Sequence, residues 1–335
     1  MSVVASAASA GAQDLVESRD GPPRPRPLLL VSGGLWLAAA AFILFVPDTQ
    51  DVDNTGLLGG LVAAVGGAQL LAWFAGRVLP PLIRVGYWAP WLLVLGAWIV
   101  GWELVTAKLD LLPLPFFASP QAFIEVYTDD WQRLGDSLLH SLLLLGRGYV
   151  IGAAAGFVVG VALGWSRRVG YWAHPILRLI GPLPATAWIP LAFFVFPTSA
   201  GASTFLIALA TGFPVTVLTW SGVAGVHTAY YDVARTLGAS SRFLVLKVAI
   251  PAALPHVFVG LFMGLGSSFA VLVVAEMLGV KSGLGWYLQW AQGWAAYANM
   301  YAALLVMALM CTTLITVLFR IRDRLLAWQK GLVQW

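Results

Sequence analysis

The chain has 335 residues, of which 60% are hydrophobic and only 10% charged, and its mean hydropathy is +0.84. Soluble domains carry about a quarter charged residues, so this composition excludes an ordinary water-soluble enzyme. The net charge of +4 comes from basic residues dispersed among apolar segments, which is no nucleic-acid footprint, and the single cysteine, Cys311, excludes an internal disulfide and any cysteine-cluster metal site.

In chain order, residues 1–27 are small, polar and proline-rich, and are predicted to form a disordered cytoplasmic tail because they cannot bury enough apolar surface to offset ordering entropy. Eight charge-poor runs follow: Leu28–Val46, Gly56–Gly76, Val85–Trp102, Ser137–Ser166 (interrupted by Arg147), Leu179–Phe196, Gly201–Val226, Ala252–Ala275 and Asn299–Phe319. Each approaches or exceeds the roughly 20 residues that cross a bilayer core as a helix. The fold class is therefore an all-α, polytopic transmembrane helix bundle, with a broken helix expected in the proline-rich stretch around Gly181–Pro190. Sixteen tryptophans and nine tyrosines suit two water–lipid interfaces. Fourteen of the 19 lysines and arginines fall on one side of this topology, which makes both termini cytoplasmic and the span number even.

Three features stand out. Gly148, Gly152, Gly156, Gly160 and Gly164 recur every four residues, a bare stripe that marks close helix–helix packing, within the chain or across a dimer interface. Arg147 lies about ten residues into its run, roughly 15 Å deep. A charge at that depth faces the bundle interior with a partner, for which Glu276 and Glu103 are the candidates, or serves as a basic point on an anion path. Ser267 and Ser268 either line a polar path or bond to their own helix carbonyls. The four histidines sit near span ends without ligand spacing and read as interfacial.

The third feature is the cytoplasmic segment between the sixth and seventh runs. Asp232 is expected to open a short helix, Gly238 to turn the chain, and Phe243, Leu246 and Lys247 to present a second helical face before Pro251 and Pro255 restart a helix. It is about three times longer than the usual 2–8-residue helix connection. It is amphipathic and basic, so it either docks another protein or lies on lipid. No Gly-x4-Gly-Lys-Ser/Thr loop, metalloprotease helix or nucleophile elbow is present, so the chain is not an ATPase and an intramembrane enzyme is disfavoured.

The pattern filled by Asp232, Ala234, Gly238, Val248, Ile250 and Pro251 resembles the coupling loop of ABC-importer permeases. From about Trp88 to Lys330 the chain is most similar to the nitrate/sulfonate/taurine branch. Supporting stretches include Trp102 to Val105, Ser141 through Arg147 to Gly148, Gly181 to Leu191 with Trp188, and Ala275 to Leu278 followed by Gly283-Leu284-Gly285. The resemblance implies a type I six-helix core over 80–330, with a coupling loop at 228–252 and two additional helices over 28–79. It implies a permease homodimer in the bacterial inner membrane, two cytoplasmic ATPases that bind the ATP, an extracytoplasmic binding protein, and no cofactor on this chain. It also implies a small anion as substrate, a sulfonate such as taurine first and nitrate next. Arg147, Glu276, Ser267 and Trp188 are the expected path or gate residues. The alternative, an ion-gradient-driven secondary transporter, asks for several buried carboxylates or matched broken helices.

Overall fold

The computed structural model describes residues 27–49, 52–76, 86–112, 114–181 and 183–329. The expected disordered tail lies outside the described residues, apart from Pro27, which begins the first helix. The chain divides into two compact units between Asp129 and Asp130.

The first unit holds α1 (Pro27–Phe45), α2 (Thr55–Ala75), α3 (Ala89–Lys108, its last turn a wider π turn) and α4 (Pro120–Asp129). Glycines let α1 and α2 approach: Gly66 sits against Trp36 and Gly59 against Leu44. Trp36, Ala39, Ala40, Ile43, Leu58 and Val62 form the core between them. The Trp36 indole N–H donates to the Leu92 carbonyl at 2.8 Å and Gly96 packs on the same ring, which binds α3 to this hairpin.

The second unit holds α5 (Trp131–Trp165), α6 (Arg167–Ile180), α7 (Ala185–Val195), α8 (Ser199–Ala224), α9 (Thr228–Thr236), α10 (Ser241–Gly279), α11 (Leu284–Gly293) and α12 (Tyr297–Leu325). The glycine stripe faces inward along α5. Gly148 meets Ile207, Gly152 meets the Ala208 backbone, Gly156 meets Gly212, Gly160 meets Thr219 and Gly164 meets Val223. The stripe is thus an intrachain seam between α5 and α8. A second seam joins α8 to α10, where Gly260 approaches Val215 and Gly264 approaches Thr211. Helix α8, packed between these two glycine-bearing helices, carries the unit's core.

Among the described residues, seven helices are long and apolar enough to cross a membrane. The fifth predicted run is different: α6 and α7 meet at 87°, and they make an eighth span only if taken together. The break falls in the predicted Gly181–Pro190 stretch, where Pro184 and Pro190 lack backbone N–H donors. The coupling-loop run Ser241–Gly279 begins before the predicted Ala252, because the chain winds through a π turn at Leu244–Ala249 straight into the span.

Candidate functional site

Helix α9 starts at His227, whose ring nitrogen accepts the Ala229 N–H. Asp232 therefore sits mid-helix rather than at the positive end expected for it, and pairs with Arg235 at 3.4 Å on an exposed face. The helix ends in a Schellman turn. The Ala239 N–H reaches the Ala234 carbonyl at 3.0 Å, the Gly238 N–H reaches Arg235 at 2.9 Å, and Gly238 has φ +81°. Nothing lies within 4 Å of where a Gly238 Cβ would sit, so the glycine is required by backbone angle and not by crowding. Ser240 then caps the next turn by accepting the Phe243 N–H.

Two anchors hold this protrusion to the bundle. Tyr231 meets the Trp165 ring edge-on at 5.8 Å, and Ala249 is fully buried in a cluster with Val223 and Ala253. Burial pushes the Tyr231 phenol above its ordinary pKa, so it stays neutral. Val248, Ile250 and Pro251 are half-buried beside these anchors. On the outer side, Tyr230, Val233 and Leu237 share one face of α9, with Leu237 83% exposed, and Phe243 and Leu246 are also exposed.

At the α6/α7 break lies a cavity of about 320 Å³. Leu183, Pro184, Ala185 and Thr186 line it from the break, Leu209 and Phe213 from α8, and Ser267 and Val271 from α10. Ser267 and Ser268 both donate to carbonyls of their own helix, Met263 at 3.0 Å and Gly264 at 2.5 Å, and Ser267 lines the cavity as well. Trp188 is half-buried on the turn that opens α7, and its indole N–H has no partner among the described residues.

Glu276 and Arg147 are not brought together. The fully buried Glu276 carboxylate accepts the Ser141 hydroxyl at 2.7 Å and the Gly285 N–H at 2.8 Å, while Ser141 Oγ accepts the Leu284 N–H at 2.8 Å. These bonds fasten the first turn of α11 to α5 and α10. Gly283 completes the turn at φ +106°, where a Cβ would land on the Glu276 carboxylate. Tyr287, also fully buried, donates to Asp130 at 2.7 Å and accepts from Asn299 at 2.8 Å, and burial raises its phenol pKa. Glu103 is occupied within its own unit, accepting Gln121 Nε2 at 2.7 Å and facing Lys108 at 3.7 Å. Arg147 is exposed and has no acidic partner among the described residues. In place of the expected ion pair, the Glu276 carboxylate holds a hydroxyl and one backbone amide, and the hydroxyl in turn holds a second amide. The signal for this was the Gly283-Leu284-Gly285 run, whose amides supply the donors.

A family model described as "Binding-protein-dependent transport system inner membrane component" matches residues 148–330. The chain belongs to this family. It is a multi-pass inner-membrane permease subunit of an ABC importer, non-catalytic itself and working with a separate ATPase and a substrate-binding protein. The nitrate import permease protein NrtB of Synechococcus elongatus is 28% identical over 64% of this chain and 78% of that protein. The "Putative aliphatic sulfonates transport permease protein SsuC" of Bacillus subtilis is 30% identical over 66% and 75%. The bicarbonate transport system permease protein CmpB of Synechococcus elongatus is 34% identical over 46% and 53%. The family match takes in the glycine seam, the cavity at the break, the Schellman turn and all of the Glu276 lock of this permease except Ser141.

Proposed function

We propose that this permease passes a small anion through a homodimer, both termini cytoplasmic, and is driven by an ATPase that binds the ATP and grips α9 with the turn after it. The observation that carries the coupling half is the row Tyr230, Val233 and Leu237, an apolar face outside the spans on a protrusion that is anchored at both ends. A rigid protrusion passes on force, whereas a free loop absorbs it. The anion half is supported by relatives named for nitrate, sulfonates and bicarbonate, all small anions. The homodimer is supported by Arg147, an exposed cation midway along a candidate span with no acidic partner among the described residues, which calls for a neighbour or water from outside the chain.

The test is Leu237→Asp. It leaves the fold intact, because Leu237 touches little of its own chain, and it is expected to abolish co-purification with the ATPase or stop binding-protein-stimulated hydrolysis in lipid. Normal assembly and normal transport would place the coupling face elsewhere. Uptake of labelled taurine, nitrate and bicarbonate against a cationic control tests the substrate class, and transport of the cation alone would sink the anion reading.

A further inference from the structure

Beside the cavity at the α6/α7 break runs a second opening, a groove of about 910 Å³ between α6 and α8. Its lining differs in kind. The cavity has the hydroxyl-bearing Thr186 and Ser267, whereas the groove has Arg178 and His174, the latter packed edge-on against Trp220 at 4.3 Å. One side chain belongs to both walls, Phe213 of α8. Its ring is seated on Gly181: a Cβ there would come within 2.5 Å of the ring's Cζ, so only glycine leaves the ring room.

Both supports of this contact are hinge points. Gly181 ends α6 where the chain turns through 87° into α7. Pro214 follows Phe213 directly inside α8 and lacks the N–H that would bond the Ala210 carbonyl, which loosens the helix at that turn. A bulky ring held between two weak points moves when either helix moves. Arg178 lines this groove near the end of α6, and if α6 and α7 together form a span its guanidinium lies toward water or a partner there and not against hydrocarbon.

We propose that Phe213 seated on Gly181 is the barrier between two half-sites of one anion path, with Thr186 and Ser267 on one side and Arg178 with His174 on the other. The proposal rests on the small-anion reading and adds to it the barrier and the cationic half-site. In the passage between the outward and inward states the ring would leave Gly181 as the α6/α7 bend changes, letting a small oxyanion pass from the Thr186 hydroxyl, and that of Ser267 once it turns from the Met263 carbonyl, to the guanidinium.

The permease is reconstituted with its ATPase into vesicles loaded with nitrate, without ATP or binding protein. The unaltered complex is expected to hold nitrate as protein-free vesicles do, and Phe213→Ala to leak it several-fold faster. Phe213→Leu, a milder change that keeps the core filled, is expected to leak to a lesser degree and serves where Phe213→Ala does not assemble. Adding Arg178→Glu to the leaking variant should abolish its preference for nitrate over potassium, read from diffusion potentials. A folded Phe213→Leu or Phe213→Ala complex that stays sealed overturns the barrier. A leak whose anion preference survives Arg178→Glu overturns the cationic half-site. Failure of the unaltered complex to take up any of the three anions with ATP and binding protein would instead count against the small-anion reading, which the leak assay does not require.

Discussion

At the scale of single residues, two buried or membrane-depth charges have opposite roles. Glu276 is spent on structure: its oxygens hold Ser141 and the Gly285 amide, and Ser141 in turn holds the Leu284 amide. Ser141→Ala would orphan that amide and weaken the carboxylate's hold, each unsatisfied buried group costing about 1–3 kcal/mol. The expected result is a clearly lower unfolding temperature in detergent, and an unchanged one would mean water or a shifted side chain replaces the hydroxyl. Arg147 is not spent on structure. Its helix begins at Trp131, so it lies about 24 Å along a helix roughly 52 Å long, near its middle. An unpaired arginine at mid-span costs about 3 kcal/mol of insertion free energy. Arg147→Leu should therefore raise or preserve the yield of folded permease while lowering anion uptake. Wild-type uptake in that variant would remove Arg147 from the path and the dimer contact alike.

At the scale of helices, what was legible in the sequence is what local periodicity encodes. The four-residue glycine spacing places all five glycines on one face, and that face is the α5–α8 seam. The proline-rich break and the Gly238 turn were legible for the same reason, since each rests on the residue's own backbone chemistry. The Arg147 pairing was not, because depth along a helix says nothing about azimuth: Glu276 points to the face that α11 occupies, a contact set by residues far away in sequence. The start of α9 was misread because Asp232 is a good N-terminal residue in isolation, while His227 supplies the cap five positions earlier. The seam yields a paired prediction. A Cβ on Gly152 would sit 2.8 Å from the Ala208 Cα, which is backbone and does not rotate aside, so Gly152→Ala should cost about 1–3 kcal/mol or prevent folding. Gly146, six residues earlier with nothing within 4 Å, should accept alanine with a gain of about 0.5–1 kcal/mol. Thermal unfolding of the two variants separates them, and equal effects would deny the seam its tight packing.

At the scale of the whole chain, the question is what the two helices ahead of α3 contribute. The family match begins at residue 148, so the entire first unit lies before it. Within that unit the cation Lys108 is buried at the end of α3. It pairs with Asp48 at 2.8 Å, faces Glu103 at 3.7 Å, and donates to the Ile43 carbonyl at 3.0 Å and to that of Val46. Asp48 and both carbonyls come from the end of α1 and the loop behind it, and Thr55 at the start of α2 also donates to Asp48 at 2.9 Å. A chain shortened to begin at residue 77 would strip Lys108 of every partner but Glu103. Breaking a buried ion cluster this way costs about 3–5 kcal/mol. The shortened permease should consequently give little folded protein even if the second unit retains all the transport machinery. Replacing the stranded charges, Lys108→Met with Glu103→Gln, should recover much of the yield in the shortened chain, since neutral residues leave no uncompensated charge. The same double change in the full chain should lower stability, because Asp48 then loses its cation. Yields and unfolding temperatures of the four proteins decide the matter. If the shortened chain with its native Lys108 and Glu103 folds as well as the full one, α1 and α2 are not part of the frame that positions α3, and their role lies outside folding.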